Sequence, residues 1–264
     1  MMAISSNDLY CNISSSLKSS SIIGKKIIYF ESLSSTQDQL KELSKTNEEG
    51  LIVVAGNLTQ ARGRFGRKFY TNNGGLYFSI LLKPQLDLFD SRIITLAASI
   101  SLAESIYTLT DLKPSVKWPN DLLLNGFKFS GILSEVYHSN NSNNLLLGIG
   151  VNVNFNKNKL PLEIQPFSTT LKDIYGKNLS KIDLLTEFLK NFNEMYVSLK
   201  KKNKSELLKK WIQWDDNIGK QVSFSVDSLV YHGQILGINP NGELLLNVNG
   251  EILNFSSGEL RFAT

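Results

Sequence analysis

The amino-acid sequence predicts an α+β protein: a β-sheet with helices packed on it, followed by a small C-terminal β-barrel. Three observations carry this expectation. Short β-rich runs of strand length recur between residues 27 and 154. One long run, Ile93 to Leu109, is apolar at nearly every helical spacing and reads as a well-buried helix. After Trp214 the pattern changes to short alternating runs divided by Asn-Gly dipeptides, the mark of strands joined by tight turns.

The elements follow in order. Ile27 to Glu31 is a β-rich run, and Ser34-Ser35-Thr36 can cap a helix over Gln37–Ser44. Leu51 to Ala55 reads as a buried strand, a basic loop follows, and Gly75 to Lys83 is the next strand. Val116 to Trp118 and Leu122 to Leu124 are strand-like, and Asn125-Gly126 is a two-residue hairpin turn into Phe127–Tyr137. The Asn/Ser tract 139–144 reads as a surface loop, and Leu145–Asn154 returns as a strand. Amphipathic helices fit 181–201 and 204–214. The runs Gln221–Val226, Leu229–Ile235, Glu243–Val248 and Glu251–Phe255 then form the barrel. A boundary is expected near Asp216, giving a lead-in over 1–26, a main domain over 27–215 and a small domain over 216–264. No internal repeat is evident.

Composition excludes several classes of function. At 264 residues, with 42% apolar and 20% charged residues, the chain has room for one large domain and a small one. Cys11 is the single cysteine, so no internal disulfide is available and a reducing, cytoplasmic setting is expected. With only His138 and His232 besides, a zinc site or Cys/His catalysis has almost no raw material, and no metal site is expected on the protein. No apolar run is expected to reach the length of a membrane span, and the Ser-rich first 26 residues lack the apolar core of a secretory signal. The net charge of +4 is mild and by itself implies no nucleic acid.

Three constellations could carry chemistry. Arg62-Gly63-Arg64-Phe65-Gly66-Arg67-Lys68 packs four cations into seven positions, with no Asp or Glu between Glu49 and Asp87 to neutralise them. Three uses fit such a loop: a solvated charge run, a nucleic-acid segment, or a grip on phosphate or carboxylate, which bidentate arginines suit. The interleaved glycines and aromatics favour the third. Next comes Lys117-Trp118-Pro119-Asn120-Asp121, with Lys128 and Gly131-Ile132-Leu133 after it. Trp118 reads as core, Pro119-Asn120 as a turn and Asp121 as its cap. Lys128, inside an apolar run, either snorkels out or supplies a point charge to a site. The third is Gly148-Ile149-Gly150-Val151-Asn152, two glycines in a strand that mark close approach of backbone or ligand. It lacks the third glycine of a dinucleotide fingerprint, and no P-loop sequence occurs.

In this order these motifs resemble the biotin/lipoate protein ligase superfamily, specifically its biotin protein ligases, over about residues 27–264. Ser35-Thr36-Gln37 and the C-terminal Ser257-Gly258-Glu259-Leu260-Arg261 belong to the same match. The resemblance implies a mixed sheet of class II synthetase-like architecture and an SH3-like barrel. It also implies a two-step enzyme: biotin's carboxylate attacks the α-phosphate of ATP, supplied with Mg²⁺, and a lysine on the biotin carrier domain of an acyl-CoA carboxylase then attacks biotinyl-5′-AMP. By similarity, biotin would meet Ser35, Thr36, Gln37, Gln60, Arg62, Gly63, Arg64, Lys128 and Gly131. The nucleotide would meet Arg62, Arg64, Arg67, Phe69, Asn120 and Asn152. Arg64, Lys128 and Asp121 would be catalytic.

The chain departs from the family pattern at three places. Ala61 and Phe65 stand where a glycine and an arginine are usual. Leu58 aligns with the usual biotin-contacting glutamine, while Gln60 lies two positions later. The family's repressors carry an N-terminal winged helix, for which 26 residues leave no room, so specific DNA binding is not expected. Homodimerisation is left open. Two other functions compete: lipoate–protein ligation on the same fold, and nucleic-acid binding through the basic loop and barrel. Glycines beside Arg62 and Arg64 predict a loop that is mobile when empty, whereas Lys128, after a hairpin, should be positioned in advance.

Overall fold

The structure, a computed structural model, describes residues 10, 13–84, 91–139 and 142–262. Cys11, Asp87 and residues 140–141 of the Asn/Ser tract lie outside the described residues.

A short helix α1 (Ile13–Ser16) precedes strand β1 (Ile27–Leu33), helix α2 (Thr36–Leu43), β2 (Ile52–Leu58) and β3 (Leu76–Leu82). Helix α3 (Ser91–Thr110) leads to β4 (Ser115–Lys117), β5 (Asp121–Leu124), β6 (Phe127–Ser139) and β7 (Ser142–Val151). Helices α4 (Leu171–Tyr175), α5 (Lys181–Lys200) and α6 (Ser205–Trp214) follow. Strands β1 to β7 form one sheet in the order β1-β2-β3-β7-β6-β5-β4. β1 and β2 run parallel and every other neighbouring pair is antiparallel, so the sheet is mixed.

Strand side chains alternate between the two faces of a sheet, and here the alternation sorts two helix layers. Val54, Phe78, Ile80, Leu147 and Ile149 point to one face, where α3 and α5 pack. Val53, Leu81 and Leu146 point to the other, where they meet Leu40 of α2. Two positions beyond Leu146 on this second face stand Gly148 and then Gly150. The packed layer ends there, and a cavity begins.

Helix α3 overturns one expectation. It is long and apolar enough to cross a membrane by length and composition, yet 78% of its apolar window is buried inside the protein. Its hydroxyls show how it sits there. Ser99, Ser101, Ser105 and Thr110 each donate to the carbonyl four residues back, so their burial leaves no donor unsatisfied.

Asn125 and Gly126 both have positive φ, 52° and 81°, as the two-residue turn expected there requires. Within the Asn/Ser tract, residues 139 and 142–144 are strand, not the loop expected. β6 runs on to Ser139 and β7 starts at Ser142, with Tyr137 opposite Asn144 and His138 opposite Asn143. A ladder already in register pairs backbone groups whatever the side chains are, so polar residues extend it. β7 also stops at Val151, three residues short of the strand expected.

Strands β8 (Gln221–Val226), β9 (Leu229–Ile238), β10 (Leu244–Val248), β11 (Glu251–Phe255) and β12 (Glu259–Phe262) form a second, antiparallel sheet in the order β11-β10-β9-β8-β12, the strand set of a small barrel. β12, which no alternating run announced, completes it by pairing with β8. Phe224, Leu244, Leu246 and Leu260 join the same core as the main sheet. Trp118 Nε1 donates to the Gly242 carbonyl at 3.0 Å, and its ring lies 6.0 Å from that of Phe224. The lead-in is docked too. Asn193 of α5 accepts from the N–H groups of Ile22 and Ile23 and donates to the Ile23 carbonyl.

Candidate active site

The cavity has a volume of about 400 Å³, within the range of small-molecule sites. Its floor is the glycine stretch of β7. A Cβ on Gly148 would stand 2.9 Å from the Gln37 amide carbon, and one on Gly150 would stand 2.7 Å from the Phe69 ring. These glycines are needed for space: they let the Gln37 amide and the Phe69 ring lie flat against the sheet.

One end of the cavity belongs to the start of α2. Ser35 caps the helix, its Oγ accepting from Asp38 N at 3.3 Å. Thr36 Oγ1 accepts from Ser79 Oγ at 2.7 Å, which leaves the Thr36 hydroxyl hydrogen to give. Gln37 Nε2 donates to the carbonyls of Leu133 and Leu146, both at 3.2 Å. Its Oε1 has no protein partner among the described residues. All three side chains are buried, Thr36 and Gln37 held by the sheet and Ser35 by the helix it caps.

The other end is cationic. After β2 the basic segment folds into a small hairpin. Arg62 bridges antiparallel to Lys68, Gly63 N donates to Arg67 O at 2.7 Å, and Phe69 N donates to Ala61 O at 3.0 Å. Phe65 and Gly66, with φ of 56° and 70°, make the tip. The Phe65 side chain is 68% exposed. The basic segment is therefore a folded hairpin.

Nor are its charges left alone, as a reading of the nearby sequence had it. Arg62 Nη2 lies 2.6 Å from Asp38 Oδ1, and Arg67 pairs with Glu259 at the start of β12. Both acids come from outside the acid-free stretch. The hydrogen bond to Asp38 raises the Arg62 pKa above its ordinary value, while burial lowers that of Arg64. Arg64 Nη1 donates to the Gly258 carbonyl at 3.3 Å.

β5 and β6 supply the remaining charges. Lys128 Nζ sits 2.6 Å from Asp121 Oδ1, an ion pair inside the cavity wall. Asn120 Nδ2 donates to Ile132 O and Ile132 N donates to Asn120 O, clamping the start of β5 to β6. Lys117, whose Nζ lies 5.3 Å from the Phe262 ring centroid, also lines the cavity. Its pKa is lowered chiefly by burial, with Lys128 and Arg261 adding to the effect and Asp121 and Glu259 opposing it.

Of the residues expected at the site, all but two line this cavity. Gln60 does not: its side chain is exposed, and Leu58, the last residue of β2, takes the wall position instead. Past Leu58 the backbone N–H groups of Thr59 and Gln60 still donate to Leu33 O and Ser34 O, but Gln60 is exposed to solvent. Asn152 does not either. It is buried beyond the floor, donating to Thr169 O at 3.1 Å, with no hydrogen-bond partner on its Oδ1. Missed were Lys117, Leu58 and the Gly258–Arg261 wall. The first was legible as the head of the Lys117–Asp121 motif; the last depends on a fold-back across the whole chain.

Comparison with known proteins bears on this geometry. Residues 29–152 match the model of the biotin/lipoate A/B protein ligase family. The bifunctional ligase/repressor BirA of Bacillus subtilis is 30% identical over 242 residues, covering 90% of this chain and 74% of that protein. A biotin–[acetyl-CoA-carboxylase] ligase of Mycobacterium tuberculosis is 26% identical over 225 residues, covering 80% and 79%. The solved biotin protein ligase of Aquifex aeolicus, in complex with biotin and ATP, superposes with a TM-score of 0.82 at 32% identity, covering 90% of this chain and all of that one.

Proposed function

The chain belongs to the biotin/lipoate A/B protein ligase family, and from that premise we propose that it adenylates biotin with ATP and transfers the biotinyl group to a lysine of the carrier domain of an acyl-CoA carboxylase. One observation carries this reading: a single cavity has fixed hydrogen-bonding groups at one end and cations at the other. Such a site suits a ligand with a polar, uncharged head and an anionic tail.

The residues divide the work accordingly. The Thr36 hydroxyl and the Gln37 Oε1 offer a donor and an acceptor to a ureido ring, whose N–H and C=O require partners when buried. Arg62, Arg64, Lys117 and Lys128 surround the place where carboxylate meets phosphate. Fixed cations there offset charge that develops on the α-phosphate in the transition state. Phe69, flat on Gly150, offers a face to the adenine ring. Magnesium enters with ATP as part of the substrate, and no group of three or more His, Cys, Asp or Glu gathers among the described residues. In the second step the hairpin shields the mixed anhydride from water until the carrier lysine arrives.

Lipoate offers no ureido groups, so the α2 end would be left unpaired around it. The hairpin's cations line the cavity and pair with Asp38 and Glu259, which argues against operator DNA as the ligand. A cytoplasmic setting belongs to the same reading, because the reaction consumes ATP. The test is direct: incubate the protein with MgATP, a carboxylase carrier domain and either biotin or lipoate, then record pyrophosphate release and the mass of the carrier. Biotin-dependent pyrophosphate and a biotinylated carrier are expected; equal turnover with lipoate sinks the substrate assignment.

A further inference from the structure

We propose that Glu259 is a positioning residue: it latches the arginine hairpin across the cavity by pairing with Arg67, so that the C-terminal sheet holds the adenylate in. This inference rests on the two-step reading above. It reassigns Arg67 from a nucleotide contact, as the sequence suggested, to one half of a latch.

Two of the hairpin's cations reach the same short segment. Arg67 Nη1 forms an ion pair with Glu259 Oε1, and Arg64 Nη1 donates to Gly258 O. Apart from this segment, the hairpin is tied to α2 by the Arg62–Asp38 ion pair. It is attached to the main sheet through the end of β2, and its tip at Phe65 is exposed. The segment that receives it is fixed. Glu259 stands opposite Ser225 in the β12–β8 ladder, and a Cβ on Gly258 would stand 2.2 Å from the Phe224 ring. The second sheet is itself held to the first by Trp118 Nε1 on Gly242 O and by Asn217 Nδ2 on Val116 O. The hairpin thus meets a fixed post, and both partners of the ion pair line the cavity.

The Arg67 side chain is 65% exposed and that of Glu259 23%, so the pair is solvent-screened and its effect is modest. A latch of this strength shifts the closed population by about three- to fivefold. It acts on retention of the intermediate, because an open hairpin lets biotinyl adenylate leave and water enter.

The experiment forms biotinyl adenylate in a single turnover without carrier and follows its escape with time. It uses the parent, Glu259→Gln, Arg67→Gln and the reversed pair Arg67→Glu with Glu259→Arg. Each single substitution is expected to raise the escape rate about three- to fivefold, and the reversed pair to return it to within about twofold of the parent. A role in folding alone would lower the melting temperature of the single variants in step with the escape rate, whereas a latch leaves their melting temperatures near the parent's, since an exposed pair adds little to stability. In the parent and Glu259→Gln, raising the salt concentration should also bring the two escape rates together, since screening weakens the exposed latch while weakening the pairs common to both proteins alike. Parental retention in Glu259→Gln, no recovery in the reversed pair, or a ratio untouched by salt each overturns the latch. Failure of the parent to release pyrophosphate with biotin overturns the two-step reading instead.

Discussion

The two ends of the cavity are built on opposite principles. At the α2 end every polar side chain is buried and already bonded to the protein: Ser35 to the helix it caps, Thr36 to Ser79, Gln37 to two strand carbonyls. At the cationic end the side chains are longer and more exposed, and ion pairs hold them: Arg62 to Asp38 of α2, Arg67 to Glu259 of β12 and Lys128 to Asp121 on the neighbouring strand. A recognition site for an uncharged ring needs its few donors and acceptors fixed in advance, since ordering them later lowers affinity. A site for a reacting phosphate needs charge, and charge acts over longer distances with looser geometry. The difference implies that substitutions at one end should alter which molecule binds, and at the other how fast it reacts.

The strongest test of that division is Lys128→Ala. Loss of this fixed cation should slow adenylate formation by about 100- to 1,000-fold while biotin affinity stays close to the parent's. Single-turnover pyrophosphate release beside equilibrium binding measures both, and a matching loss of affinity breaks the division. Next is Gly150→Ala, which sets a methyl group 2.7 Å from the Phe69 ring. The displaced ring should raise the KM for ATP about tenfold, with biotin affinity little changed; steady-state kinetics at varied ATP decides it. A smaller effect belongs to the polar end. Thr36→Val keeps the shape and removes the hydroxyl, so biotin should bind about fivefold more weakly, or roughly 1 kcal/mol. The rate at saturating biotin should hold, and calorimetric titration would expose any failure of that split.

The smallest effect is on pH. Burial lowers the Lys117 pKa, so this cation is lost at a lower pH than an ordinary lysine. As pH rises through that depressed value, kcat/KM should fall. Lys117→Arg, which stays charged, should carry the fall to higher pH. Superimposable profiles would remove Lys117 from the charge-bearing group.

Much of the floor of the site was legible from local sequence. Two glycines in a strand announce a close approach, and the Ser34-Ser35-Thr36 run announces the cap of the helix that begins at Thr36. The Asn125-Gly126 turn that leads to Lys128 could be read off two letters. What stayed hidden depends on contacts far apart in the chain. A stretch without acids looked uncompensated until the fold brought Asp38 and Glu259 to it. Gln60 looked like a displaced glutamine until β2 was seen to end at Leu58. The polar residues 143 and 144 looked like loop because side-chain character says little about a ladder already set in register.

The core that both sheets share also has a consequence for how the molecule comes apart. Trp118 belongs by sequence to the larger unit, yet its indole N–H is satisfied by Gly242 and its ring is covered by Phe224. Removing residues 216–264 would strip both from it and leave a large aromatic surface with a buried-type donor facing water. Calorimetry on the whole chain should therefore record one endotherm, with enthalpy equal to its van't Hoff value. Two separable endotherms would mean that this seam carries little of the cohesion assigned to it.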